Sequence, residues 1–170
     1  MSRSASFIGV TILALITGAA DAERPVDLVI GESQFFNGDM IDILSVTSSG
    51  AGFEQGATVT VEGTYKLNTT ESALLGFNST KRLKPGEKPT PTPGQPNQST
   101  TARKGVHVFV LSKVITDDGS PHLTFYHPVT GKPFGGVYFG DESNVMMKKS
   151  WSYEPAPASK AAATSKVTPR

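Results

Sequence analysis

From Thr58 to Leu67 the chain reads TVTVEGTYKL. Val59, Val61, Tyr65 and Leu67 stand at alternate positions, with Thr60, Glu62, Thr64 and Lys66 between them. A period of two puts the first set on one face of a β-strand and the second on the other. The same rhythm recurs through most of the chain, and the 3.6-residue rhythm of an amphipathic helix is nearly missing. Val26, Leu28 and Ile30 alternate, and Met40–Val46 (MIDILSV) reads as a strand buried on both faces. Val106, Val108 and Val110 share one face while His107, Phe109 and Leu111 share the other, again suggesting burial on both sides. Ala73, Leu75 and Phe77 continue the pattern more weakly and read equally as a short helix.

Turn residues punctuate these runs. Asp117-Asp118-Gly119-Ser120 marks a turn, His122–Tyr126 a strand and Thr130-Gly131-Lys132 the next turn. Gly135–Gly140 reads as the returning strand, and Asn144–Trp151 as one more. About seven short strands with frequent turns predict an all-β domain, a single β-sandwich or small barrel.

The Lys81–Lys104 segment stands apart. Five of the twelve prolines lie between Pro85 and Pro96, among Gly, Thr, Ser, Gln and Asn. Such composition has little to bury and favours extended, flexible chain. The flanking pieces are too small to fold separately without disulfides or metals. The expected organisation is therefore one β-domain over 23–151, interrupted by a flexible basic Pro/Thr-rich insertion over 81–104. A disordered tail is expected over 152–170.

The first 22 residues read as a signal peptide. Arg3 precedes an uncharged apolar run from Phe7 to Ala20, and Ala20-Asp21-Ala22 fits the small-x-small cleavage rule. The run is shorter than a membrane-spanning helix needs, and no span is expected in the mature chain. The expectation is export to the periplasm, the cell surface or the medium. The chain has no cysteine, which excludes disulfides, thiol nucleophiles, cysteine metal sites and lipid attachment through a cleavage-site cysteine.

Charge is distributed unevenly. Eight acids face only Arg24 and Lys66 across residues 23–80, whereas residues 81–104 carry six basic residues against Glu87. A basic run can attract nucleic acid. No aromatic residue is interleaved in this one for stacking on bases, so a solvated loop and no nucleic-acid partner are expected.

The run Phe36-Asn37-Gly38-Asp39, then MIDILSVTSSGAGFEQGATVTVEGTYKL and finally FGGVYFG, is similar to a β-rich module of exported proteins of environmental bacteria. In that module a Gly-Asp strand leads to a V-x-G-x-Y-x-L strand, and an F-G-G-V-Y-F-G hairpin closes it. The resemblance spans most of residues 30–140. It implies a β fold and export, and it implies no activity.

Candidate chemistry is sparse. His107, His122 and His127 lack His-x-His or His-Glu-x-x-His spacing. The weak calcium candidates are Asp117, Asp118, Asp141 and Glu142, all at expected turns, where turn chemistry alone accounts for Asp and Gly. Gly31-Glu32-Ser33-Gln34-Phe35 lacks the second glycine of a nucleophile elbow. No cofactor is implied. The reading is a non-catalytic exported domain with a binding or structural role outside the cytoplasm; if it binds an extracytoplasmic polymer or protein, Tyr126 and Tyr138 are the rings expected at that surface. The alternative is a small extracytoplasmic hydrolase using a carboxylate pair that the sequence does not single out.

Overall fold

The computed structural model describes residues 23–81 and 94–146. The expected signal peptide, the proline cluster before Gly94 and the expected tail lie outside the described residues. The described part is all-β: Arg24–Pro25 (β1), Val29–Gln34 (β2), Met40–Ser48 (β3), Thr58–Thr80 (β4), Ser99–Val114 (β5), Ser120–Tyr126 (β6) and Pro133–Gly140 (β7). Among the described residues no helix is long and apolar enough to cross a membrane, which does not bear on crossing by strands.

All seven strands belong to one antiparallel sheet, ordered β1-β3-β4-β6-β7-β2, with β5 also paired to β4. β4 is the spine. Its first half pairs with β3, from Ser48↔Val59 to Met40↔Lys66, and its second half with β6, from Leu74↔Tyr126 to Thr80↔Ser120. β5 runs alongside both halves. At 23 residues β4 is far longer than the short strands expected, and Leu75–Phe77 belongs to it rather than to a helix.

A strand this long must bend. The bend lies between Leu67 and Ser72, where the register against β5 shifts. The buried Asp39 holds it: Oδ1 accepts the backbone N–H groups of Asn68 at 2.6 Å and Thr69 at 3.0 Å, and Oδ2 accepts the Thr69 hydroxyl. Asn37 and Gly38, both at positive φ, form the turn that aims Asp39 there. The Phe36-Asn37-Gly38-Asp39 run is thus a clamp on the β4 bend.

Bending lets the sheet curl over its apolar face. Val59, Val61, Tyr65 and Leu67 are buried together, as their alternation predicts. They meet Phe109 and Leu111 of β5, Leu123 and Phe125 of β6, and Val137 and Phe139 of β7. Rings join the two arms: Phe53, from the loop after β3, lies edge-on to Phe139 at 5.9 Å, and Phe77 lies 5.3 Å from Phe139.

Four expectations need correction. Residues Ser99–Lys104, assigned to the flexible insertion, form the first part of β5 and pair with β4 as far as Ser99↔Gly76. Thr100 and Thr101 are β-branched and take strand geometry once β4 offers them a partner edge. The MIDILSV strand buries one face, since Met40 is 42% and Leu44 70% exposed. β5 also buries one face: Val106, Val108 and Val110 are 67%, 80% and 59% exposed. Of the expected strand over Asn144–Trp151, residues 144–146 are described and are not strand.

Candidate functional site

Two of the clefts on the described surface gather candidate residues. The first is a groove of about 670 Å³ where the second half of β4 meets the end of β6 and the 94–99 turn. Among the described residues no Lys, Arg, Asp or Glu side chain lines it, and its polar groups include Asn78, Gln95, Gln98, Tyr126 and His127.

The groove is built from the spine outward. Asn78 sits on β4, and its Nδ2 donates to the Tyr126 phenol oxygen at 2.9 Å. Gln98 Nε2 donates to Asn78 Oδ1 at 2.9 Å, and Gln95 N donates to Gln98 Oε1 at 2.9 Å. These amides form one continuous chain of hydrogen bonds that fixes the position of the ring. Gly76 makes room for it, because a Cβ there would lie 3.3 Å from Tyr126 Cε2 and 3.0 Å from Asn78 Nδ2. Burial raises the Tyr126 phenol above its ordinary value, with hydrogen bonds from Thr124 and Asn78 acting against that rise. The phenol therefore stays neutral at physiological pH.

The turn after β6 closes one end. His127 O accepts Gly131 N at 2.9 Å, and His127 N donates to Lys132 O at 2.9 Å. His127 Nδ1 accepts the N–H groups of Val129 and Thr130 at 3.2 and 3.3 Å, so that nitrogen carries no proton.

Of the two rings expected at a binding surface, Tyr126 lines this groove half-buried. Tyr138 is a correction. It is fully buried, its hydroxyl lies 2.8 Å from Thr80 Oγ1 and its ring centroid is 5.0 Å from that of His122. The reason is coverage. Gly31 lies between Tyr138 and the chain after β7, since a Cβ there would meet Tyr138 Cβ at 3.1 Å and Val145 Cγ2 at 2.8 Å. Glu32 N donates to Met146 O and fastens that segment down.

The second cleft, about 550 Å³, lies among the 51–55 loop, the 117–119 turn and the 141–144 segment and is lined by Glu54, Asp117, Asp118, Asp141 and Asn144, among others. Folding has thus brought together Asp117, Asp118 and Asp141 of the calcium candidates and added Glu54, which sequence spacing did not single out. Glu142 is exposed and does not line the cleft. Three of these carboxylates are engaged by their own turns. Asp117 Oδ1 accepts Gly119 N at 2.9 Å, and Asp141 Oδ1 accepts the N–H groups of Ser143 and Asn144. Glu54 accepts Gly52 N at 2.7 Å and Ala51 N, and backbone hydrogen bonds hold its carboxyl below the usual range. Among the described residues no group of three or more His, Asp or Glu side chains is arranged to hold a metal ion.

The three histidines do not converge on one site. His107 is exposed on β5 and packs on Tyr65, His122 is buried beneath Tyr138, and His127 belongs to the turn. Sequence reasoning missed Asn78, Gln95 and Gln98. Asn78 carries no local signal in a run of β-formers, and the two glutamines sit in a stretch whose composition reads as featureless. The chain matches no family model, no curated protein and no solved structure.

Proposed function

We propose that this chain is an exported, non-catalytic β-domain that binds an extracytoplasmic polymer through the groove at Tyr126. The observation that carries the reading is a groove whose described lining holds neutral amides and a ring fixed in its wall by the Asn78–Gln98 amide chain. Its volume falls in the ordinary range of ligand sites. An aromatic face beside neutral amides suits a neutral, hydroxyl-rich chain, which offers apolar C–H faces to the ring and hydroxyls to the amides. The apolar leader ending at Ala22 supports export.

The test is binding of the purified chain to neutral polysaccharides and to cell-wall polymer. Tyr126→Ala should weaken binding by about 1–2 kcal/mol, the usual contribution of a stacked ring, with the fold retained. Binding that is indifferent to this change, or no binding to any of these polymers, contradicts the reading.

The gathering of Glu54, Asp117, Asp118 and Asp141 in one cleft supports a second reading, a small hydrolase with a carboxylate pair. Such chemistry needs one carboxyl raised enough to donate a proton, whereas Glu54 is pushed the other way. Hydrolysis of a glycoside, ester or peptide that Asp141→Asn abolishes would favour it.

A further inference from the structure

β5 is an edge strand, and among the described residues its free edge is bare over one short window. In an antiparallel ladder the N–H and C=O of alternate residues point to opposite neighbours. Ser112 N donates to Asn97 O at 3.0 Å, Val114 N donates to Gln95 Oε1 at 2.7 Å, and Gln95 Nε2 donates to Val114 O at 2.9 Å. Even-numbered residues of β5 therefore face away from β4. The register is unbroken from Gly105 to Val114, so the backbone groups of Val106, Val108 and Val110 face the same way. Beyond them the edge is closed at both ends. The 95–97 turn covers Ser112 and Val114, and on the other side Gly105 takes a positive φ while His107 Nε2 donates to Lys104 O at 3.1 Å. Among the described residues nothing pairs with the backbone of Val106, Val108 and Val110, and their side chains are the exposed stripe on the outer face.

Natural sheets blunt such edges with charge, proline or bulges. Between Gly105 and Leu111 this one has none of these. The window is also its own mirror image: Val-His-Val-Phe-Val places valine at the same positions in either direction about Val108.

We propose that the chain forms a two-fold dimer by pairing this edge, antiparallel, with the same edge of a second copy. Val108 sits on the two-fold axis opposite itself, and Val106 pairs with Val110 of the other copy. Every free N–H and C=O in the window meets a partner, and the exposed valines of both copies join into one apolar strip. Lys104 falls opposite Ser112, so no like charges meet within the window. A two-fold pairing consumes both edges and closes. The proposal is independent of the Tyr126 groove.

Sedimentation of the purified chain over a concentration series tests it. The native chain should approach twice the monomer mass as concentration rises. Val108→Lys places two like charges at the axis and should stay monomeric throughout, with its melting temperature at low concentration unchanged. The register has its own readout, because the chain has no cysteine. Under mild oxidation Val108→Cys should cross-link to a dimer faster than Val110→Cys, whose position faces Val106 rather than itself. A native chain that stays monomeric, a dimer that survives Val108→Lys, or equal cross-linking at 108 and 110 overturns the proposal. If Val108→Lys does not fold, the cysteine pair decides alone.

Discussion

β5 and β7 are equally apolar on paper and opposite in fact. Val106–Leu111 and Phe134–Phe139 are both rich in large apolar residues. Yet β5 leaves valines 59–80% exposed, while every residue of β7 from Phe134 to Gly140 is buried. The difference is place in the sheet. β7 has β6 on one side and β2 on the other, and the Val145–Met146 segment lies against Gly31 over its outer face. Among the described residues β5 has β4 on one side and, on the other, a turn covering only its end. Composition makes a segment able to be covered, and its neighbours decide whether it is.

The largest expected effect lies in β7. Tyr138→Ala removes a fully buried ring and should cost about 3–4 kcal/mol, the usual cost of an aromatic-to-alanine change in a core. Denaturant unfolding measures this directly, and a loss below about 1 kcal/mol would mean that the outer face of β7 is open. Next comes Gly136→Ala. The added Cβ would lie 2.5 Å from Leu123 O and 2.8 Å from Thr124 Oγ1, so β6 must yield. Overpacking of this kind costs about 1–3 kcal/mol.

β5 should respond less. Lys113, on its inner face, is buried and donates to Ser79 Oγ at 3.4 Å. Burial lowers its amine below the ordinary 10.5, while the Asp117 charge acts to raise it. A lowered folded value means that below it the lysine is charged in both states and the fold carries the burial cost. As pH rises from the folded value towards 10.5 that cost is relieved and stability increases. Lys113→Met should therefore stabilise the domain at neutral pH, by no more than about 1 kcal/mol once solvent screening is allowed for. Melting curves should show the gain shrinking as pH rises. The comparison is cleanest below pH 10, because Tyr126, raised above its ordinary 10.0, removes stability as pH climbs past that value. The smallest effect belongs to the outer face of β5: Val110→Ser, measured on dilute protein, should stay within about 0.5 kcal/mol.

These contrasts mark what the sequence made legible. Alternation over Thr58–Leu67 identified a strand and its buried face, and His122–Tyr126 and Gly135–Gly140 were readable as strands between their turns. The turns at Asp117–Ser120 and Thr130–Lys132 followed from their residue types. Alternation does not carry sheet order, which is why both faces of β5 seemed buried and Tyr138 seemed exposed. The bend in β4 was illegible because it depends on Asp39, which lies 29 residues from the Asn68 N–H it binds. Of the candidate groove only Tyr126 was legible, since an amide chain joining Asn78 to Gln98 exists only once the 94–99 turn folds back onto β4.

The most direct measurement is residue-resolved amide hydrogen exchange on dilute, monomeric protein. In β7 the amides from Gly136 to Phe139 have strands on both sides and should all exchange slowly. In β5 the amides of His107, Phe109 and Leu111 bond to β4 and should be slow, whereas those of Val106, Val108 and Val110 should be fast. Uniform protection along β5 at low concentration would show that its edge is covered within one chain, and would contradict the account.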